Sequence, residues 1–353
     1  MTSRPRIVSG VWLALGAAAL FGVSSPIAKG LLHEASPQLL AGLLYSGSGL
    51  GLALLSILSR LSGKSLGPAP RRTEWPWLSG AIFFGGVVGP VLLMVGLSRT
   101  PASATSLLLN LEGVFTAVIA WTVFRENVDR RIALGMALIV FGGAVLSWQG
   151  RLTWGGAAGP LAVAAACVCW AIDNNLTQKV SAADPIRVAM FKGLIAGAIN
   201  VVLASILGAH WPRFTQLGGA LLLGFFGYGL SLVLFVIALR QLGTARTSAY
   251  FSIAPFIGAA VSLVLWREPV TALFIVAAVS MAAGIFLHVS ERHEHWHIHE
   301  PLEHTHLHVH DDHHRHQHSN DDPTGEPHTH SHSHEPMQHS HRHFPDIHHR
   351  HGH

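Results

Sequence analysis

The sequence predicts an all-α integral membrane protein: ten transmembrane helices arranged as two inverted five-helix repeats, followed by a disordered His-rich tail. Three observations predict it. Half of the residues are hydrophobic and only 12% are charged, against about a quarter charged in an ordinary soluble domain. Long apolar runs follow one another from Val11 to Val289, separated by short polar turns. The stretch from Phe83 to Glu126 recurs 142 positions further along the chain.

A helix needs roughly 20 apolar residues to cross the hydrocarbon core. Ten runs are long enough: 11–32, 38–58, 76–97, 102–124, 132–149, 157–178, 186–207, 217–239, 245–266 and 271–290. The bilayer admits helices or closed barrels, because backbone polar groups there must be satisfied internally. Barrel strands would alternate over about ten residues, and these runs do not. A soluble helical bundle would need polar faces, which these segments almost entirely lack. The chain divides into a lead at 1–10, a first repeat at 11–149, a second repeat at 157–290 and a tail at 291–353. Arg4 and Arg6 before an apolar run resemble a signal peptide. The run has no small-x-small cleavage site, so it reads as a retained first helix.

The repeat is gapless where it is clearest. Phe83, Phe84 and Gly85 return as Phe225, Phe226 and Gly227; Thr105, Ser106 and Ala117 return as Thr247, Ser248 and Ala259. Arg125, Glu126 and Val128 return as Arg267, Glu268 and Val270. Phe21 in span 1 corresponds to Trp170 in span 6, 149 positions on, so the first copy carries a longer connection, the basic and Pro/Gly-rich 59–74 loop. A period this long exceeds solenoid units. A doubled multi-helix bundle is a signature of secondary transporters.

Loop charge sets the orientation. One side holds Arg4, Arg6, Arg60, Lys64, Arg71, Arg72, Arg125, Arg130, Arg131, Lys179, Arg187, Arg240, Arg246 and Arg292; the other holds Arg99, Arg151, Arg213 and Arg267. The positive-inside rule then predicts that both termini are cytoplasmic, in a bacterial inner membrane. Five helices per repeat is an odd number, so the second copy enters the membrane upside down.

Taken in order, span 1 turns polar toward its outer end at Ser24, Ser25, Pro26 and Lys29, and Pro26 predicts a kink. Spans 3 and 8 are glycine-rich for close packing, and Pro90 in span 3 marks a break. Span 4 carries Asn110 and, near its middle, Glu112. A charge at that depth costs about 2.5–3.5 kcal/mol on insertion scales, and intramembrane ionisable residues are functional by default. The repeat partner of Glu112 is Ala254, so the symmetry is broken at the membrane centre. Span 6 contains Cys167 and Cys169, which point in different directions on a helix and predict no disulfide, then Asp173, Asn174 and Asn175. Lys192 in span 7 is placed to pair with Asp173 or to snorkel. Glu126 and Glu268, beside arginines in the turns after spans 4 and 9, read as ion pairs or as caps on spans 5 and 10.

The tail holds 24 histidines in the 66 residues from His288. They recur as H-x-H at His293, His295, His297, His299; His304, His306, His308, His310; His328, His330, His332, His334; and His339, His341, His343. Its apolar content is too low for a core, which predicts disorder. Neutral imidazole suits Zn, Ni, Co and Cu ions, and His-rich tracts are a compositional metal signal.

Two five-helix copies, with TSLLLNLEGVFTAVIAWTVFRE at 105–126 and TSAYFSIAPFIGAAVSLVLWRE at 247–268, resemble the two EamA repeats of the drug/metabolite transporter superfamily. The resemblance spans about 11–290. It implies a ten-helix basket whose central cavity is lined mainly by helices 1, 3, 4, 6, 8 and 9, and export or exchange of small solutes without ATP. Where many family members have proline after the central residue of helix 4, this chain has Gly113. No nucleotide-binding loop of the G-x-x-x-x-G-K-[ST] type occurs.

Expected partners are therefore the lipid bilayer and a small-molecule or metal-ion substrate, with no nucleic acid, no enzymatic activity and no required cofactor. Glu112 is the expected centre of the site, binding a cationic substrate or a coupling proton. Asn110, Asp173, Asn174, Asn175, Lys192 and Lys29 are expected around it. The sharper expectation makes the cargo a divalent transition metal collected by the tail. The alternative is a metal-buffering membrane protein that transports nothing.

Overall fold

A computed structural model describes residues 4–63, 67–124, 130–148, 154–180, 183–242 and 244–289, together with four short segments of the tail. Met1–Ser290 and Glu291–His353 form separate units. Among its described residues the first contains helices and the turns between them, and no strand. α1 is Arg4–Leu31, α2 is Pro37–Leu61, α5 is Arg130–Ser147, α6 is Trp154–Gln178, α7 is Pro185–Ile206 and α10 is Ala272–Val289. α3 comprises Trp75–Ala81, a π turn at Ile82–Val88, and Gly89–Arg99; α8 comprises Phe214–Gly224, a π turn at Phe225–Leu230, and Ser231–Leu242. α4 is interrupted between Ala102–Leu108 and Leu111–Phe124, and α9 between Thr244–Phe251 and Ala254–Leu265. Among the described residues nine helices are long and apolar enough to span a membrane, and α10 adds a shorter apolar run, Ala272–Leu287.

The local starts follow from capping chemistry. α2 begins at Ser36, whose hydroxyl accepts from Leu39 N at 3.3 Å, with Pro37 in the first turn. α7 begins at Asp184, whose Oδ1 accepts from Ile186 N at 2.8 Å, again followed by proline. Each supplies an acceptor for the unpaired amides of a first turn, where proline lacks only a hydrogen that has no helical partner.

Both copies carry the same irregularities at repeat-related places. Each π turn falls on the Phe-Phe-Gly motif, and each of α4 and α9 breaks at one point. At the α4 break Asn110 Nδ2 donates to Leu107 O at 2.9 Å; at the α9 break Ser252 Oγ donates to Ala249 O at 2.7 Å. Short polar side chains that reach back to the backbone compete with helical bonding.

The sequence expectations need two corrections here. α3 is not broken at Pro90; the departure is the π turn before it, and α8 has the same turn with Leu232 in the corresponding place. The acceptors around the π turn of α3 are used by other helices: Gly85 O receives Tyr45 OH and Trp170 Nε1, while Gly86 O and Val87 O receive Asn200 Nδ2. Pro26 lies inside α1, and its carbonyl accepts from Trp266 Nε1 at 3.0 Å. Glu268 caps the first half of α4, not α10: its carboxylate receives Ala102 N at 2.7 Å and Ser103 N at 3.0 Å. A helix N-terminus in the opposite repeat offers it unpaired amides and a positive dipole end. Arg125, Glu126 and Val128 lie outside the described residues.

α2 packs along α7, and α5 along α10. The core runs through α1–α4 and α6, with Leu39, Leu40, Leu44, Leu93, Met94 and Leu97 fully enclosed. Large apolar side chains cover the outside, including Leu61, Phe214 and Val264, each at least 80% exposed. An apolar belt of this kind faces lipid.

In the tail, where composition predicts disorder, four strands are described: β1 Glu294–His299, β2 Glu303–His308, β3 His328–Ser333 and β4 Met337–Arg342. β1 pairs antiparallel with β4, and β2 with β3. The H-x-H alternation has the two-residue period of a strand. A two-stranded ladder is marginal in water by itself, so the lack of a core still bears on its stability. His293, His310, His334 and His343 lie outside the described residues.

Candidate functional site

A cavity of about 330 Å³ lies between α2, α6, α7 and α8. Tyr45 and Ser48 come from α2, Asn174 and Thr177 from α6, Ala189 and Lys192 from α7, and Tyr228 and Leu232 from α8. Val180, Ala183 and Pro185 extend it to the α6–α7 turn. This differs from the lining implied by the resemblance: α1, α3, α4 and α9 contribute no lining residue among those described.

The chemistry sits on one wall. Lys192 Nζ is 2.6 Å from both carboxylate oxygens of Asp173. Thr177 Oγ1 donates to Asp173 Oδ1 at 2.9 Å. Asp173 is 7% exposed and Lys192 18%, so the cation is the member of the pair that reaches the open space. One turn of α6 carries Asp173 and Thr177, since residues four apart share a helix face, and Lys192 reaches them from α7. Asn174 follows on the same helix, and Glu112 of α4 stands behind it. Asn174 Nδ2 donates to Glu112 Oε1 at 2.8 Å, which links the second half of α4 to the cavity wall.

The wall is shaped by Gly85. The Asp173 carboxylate lies directly on its Cα, in the space any side chain would take. Asp173 corresponds in the repeat to Ser24, and Gly85 to Gly227. Ser24 packs on Gly227 likewise, its Cβ 2.8 Å from where a Cβ would stand. The ion pair therefore occupies a packing site that the other repeat fills with a serine. Gly85→Ala is expected to displace Asp173 and lower stability by about 1–3 kcal/mol, the usual range for overpacking. Thermal melting in detergent checks it; an unchanged midpoint would mean that the carboxylate moves freely.

Several expected site residues stand elsewhere. Lys29 donates to Leu97 O and, at 2.9 Å, to Thr100 O, so it closes the end of α3. Asn110 holds the α4 break and lies near Met281 of α10. Asn175 bonds back to Ala171 O at 2.8 Å within its own helix. Cys167 and Cys169 are free and buried, and Cys167 Sγ lies 3.7 Å from Leu108 O at the α4 break. Among the described residues no group of three or more His, Cys, Asp or Glu is gathered to hold a metal.

Sequence reading missed Tyr45 and Tyr228, whose rings lie 5.9 Å apart. They are two of only three tyrosines in the chain, and an amphipathic ring inside an apolar span is a usable signal. It also missed Asp184, whose Oδ2 receives Gly67 N at 2.9 Å and whose N–H donates to Pro68 O. That side chain ties the α2–α3 connection to the rim of the cavity beside Ala183 and Pro185.

Comparison with known proteins adds the following. The EamA-like transporter family profile matches residues 8–148 and 157–290. An uncharacterized transporter of Methanothermobacter thermautotrophicus is 26% identical over 76% of this chain and 82% of its own. A probable amino-acid metabolite efflux pump of Salmonella typhimurium is 26% identical over 79% of this chain and 94% of its own. A solved crystal structure superimposes with a TM-score of 0.59 at 18% identity, over 79% of this chain and 95% of the other.

Proposed function

The chain belongs to the EamA-like transporter family, and from that premise we propose that this multi-pass membrane protein is a secondary carrier exporting a small organic solute by alternating access.

The observation that carries the reading is an asymmetry between two repeat-related crossings. Where α1 meets the second half of α9, Gly22 lies against the Ala254 carbonyl, and Gly22 O is 2.7 Å from where a Cβ on Gly258 would stand. The first half of α4 packs there too, against the same half of α9. This crossing is sealed. Its counterpart joins α6 to the second half of α4, with Glu112 in the place of Ala254 and Gly113 in the place of Pro255. A Cβ on Gly113 would meet nothing within 4 Å. Among the described residues the second half of α4 and the first half of α9 share no packing comparable to that of the sealed pair. One α4–α9 contact is packed and its counterpart is not, and the unpacked half of α4 is joined to the cavity wall through Glu112 and Asn174; such an inequality is what inverted repeats exchange.

The positive-inside rule supports a cytoplasmic α6–α7 turn, which carries Lys179 and Arg187. The cavity then faces the side from which an exporter loads. Its volume is at the lower end of small-molecule pockets. Lys192 and Asp173 offer a cation and an anion, so a solute bearing either charge competes with their internal contact. Glu112, joined to the wall through Asn174, is placed to take up a coupling proton or the positive end of the solute. A divalent metal suits this wall poorly, because the Lys192 ammonium already occupies both acceptor oxygens of Asp173 and repels a second cation.

The test uses inverted membrane vesicles and a labelled panel that begins with amino-acid metabolites, the class for which the Salmonella relative is named. Ala189→Cys puts a reactive thiol on the cavity wall, whereas both native cysteines are buried. An impermeant maleimide is expected to label it from the cytoplasmic side and to abolish uptake into the vesicles, and a transported solute should protect it. Full labelling with undiminished transport would place the pathway elsewhere.

A further inference from the structure

We infer that solute leaves through the seam between α1, the first half of α4 and the second half of α9, and that Ser106 lines this exit. The inference rests on the carrier reading above and adds its release side. The lining of the seam includes Phe21, Gly22, Ser25, Ser106, Ala254 and Pro255, and the gap between them has no room for a water molecule. Ser106 is 1% exposed. Among the described residues its Oγ has no hydrogen-bond partner, and neither has Thr105 Oγ1 beside it. The Ser106 hydroxyl is pressed on α9, 2.9 Å from where a Cβ on Gly258 would stand. A buried hydroxyl without a partner forfeits the hydrogen bonds that water would give it, which is a standing cost. Alanine would fill the same place without that cost. A second state, in which the seam parts and Ser106 meets water or solute, gives the hydroxyl its partners.

The repeat supplies the counterpart. Ser106 corresponds to Ser248 in the first half of α9, and Ser248 is exposed. One residue type at one repeat position is thus enclosed in one copy and exposed in the other. Inverted repeats carry out alternating access by moving against each other, so each serine is expected to take the other's surroundings when the carrier turns. The seam is fastened by the turn that follows α9. Trp266 Nε1 donates to Pro26 O of α1 at 3.0 Å, and the indole lies against Gly30. Glu268 receives Ala102 N and Ser103 N of α4. Between them Arg267 has φ 50°, a left-handed backbone that disfavours side chains. This strained residue sends its two neighbours onto two different helices. Parting α1 and α4 from α9 breaks these hydrogen bonds, so the turn is the latch of the exit.

The test reads accessibility and needs no identified solute. Ser106→Cys and Ser248→Cys are made singly and together in the full chain, both native cysteines being buried. Each is treated with an impermeant maleimide in right-side-out and in inverted vesicles. The Ser106→Cys thiol is expected to react slowly and only from the outer face, the Ser248→Cys thiol only from the cytoplasmic face. Trp266→Phe keeps the ring and its packing and removes one latch hydrogen bond. It should speed the outer reaction about 5-fold, the population shift of one net hydrogen bond. An adduct at position 106 does not fit the closed seam and holds it apart. In the double variant, outer labelling should therefore abolish the later reaction at position 248 from the cytoplasmic face. A Ser106→Cys thiol that never reacts from outside, or reacts equally with and without the Trp266 bond, would overturn the inference. So would an adduct at position 106 that leaves position 248 as reactive as before, since that is local fraying of α4. Failure here with a blocking Ala189→Cys adduct would move the exit and keep the carrier reading. Reciprocal labelling with an Ala189→Cys adduct that leaves transport undiminished would keep the seam and sink the cavity as the route.

Discussion

Lys192→Met is expected to abolish transport and to destabilise the helical unit by about 3–5 kcal/mol. The substitution leaves Asp173, 7% exposed, with its charge uncompensated except by the Thr177 hydroxyl. Removing one member of a buried pair leaves a lone charge in a low dielectric, and that penalty exceeds what the pair itself contributes. The double variant Asp173→Asn with Lys192→Met removes both charges. It should regain most of the lost stability while still failing to transport. Melting in detergent gives the first readout and uptake into inverted vesicles the second. Transport at the wild-type rate by the double variant would show that the pair only holds the helices together. A single variant as stable as the parent would mean that water reaches Asp173 more freely than its burial implies.

Glu112→Gln is expected to reduce transport at least 10-fold while leaving insertion and melting close to wild type. The side chain keeps its size. Its amide oxygen can still accept from Asn174 Nδ2, the contact that joins α4 to the cavity wall. What disappears is the capacity to carry a negative charge or to exchange a proton. Each 10-fold loss corresponds to about 1.4 kcal/mol of transition-state stabilisation. The opposite repeat does without a carboxylate here, having Ala254, so the requirement belongs to function and not to the architecture of the break. Wild-type rates across the pH range would remove Glu112 from both the coupling and the cation-binding roles.

Much of the fold was legible because membrane helices obey few rules. Apolar length gives the spans, loop charge gives an expected orientation, and a gapless repeat gives the inverted halves. The candidate site was only half legible. Glu112, Asp173 and Lys192 stood out as charges inside apolar spans, and they do lie close together, linked through Asn174 and one turn of α6. Lys29, Asn110 and Asn175 stood out in the same way, yet each is spent on a backbone carbonyl. Polarity in a span announces that a group must find a partner; it does not say whether the partner is a solute or the chain.

The sequence by itself determined the succession of long apolar helices, the doubling of the chain, the loss of symmetry at Glu112 and the histidine alternation of the tail. All of these are set by composition and by periods along one chain. Only the tertiary structure decided which helices wall the cavity, that Glu268 caps α4 of the opposite repeat, and that Gly85 makes room for the Asp173 carboxylate. It also decided that the first half of α4 packs on the second half of α9, while among the described residues the first half of α9 has no comparable packing on the second half of α4. Both copies carry the same motifs and break at the same places, so their local signals are almost the same. What differs is how closely two helices approach, and that is fixed by the atoms each meets on its neighbour: the Ala254 carbonyl against Gly22 on one side, Asn174 and Glu112 on the other.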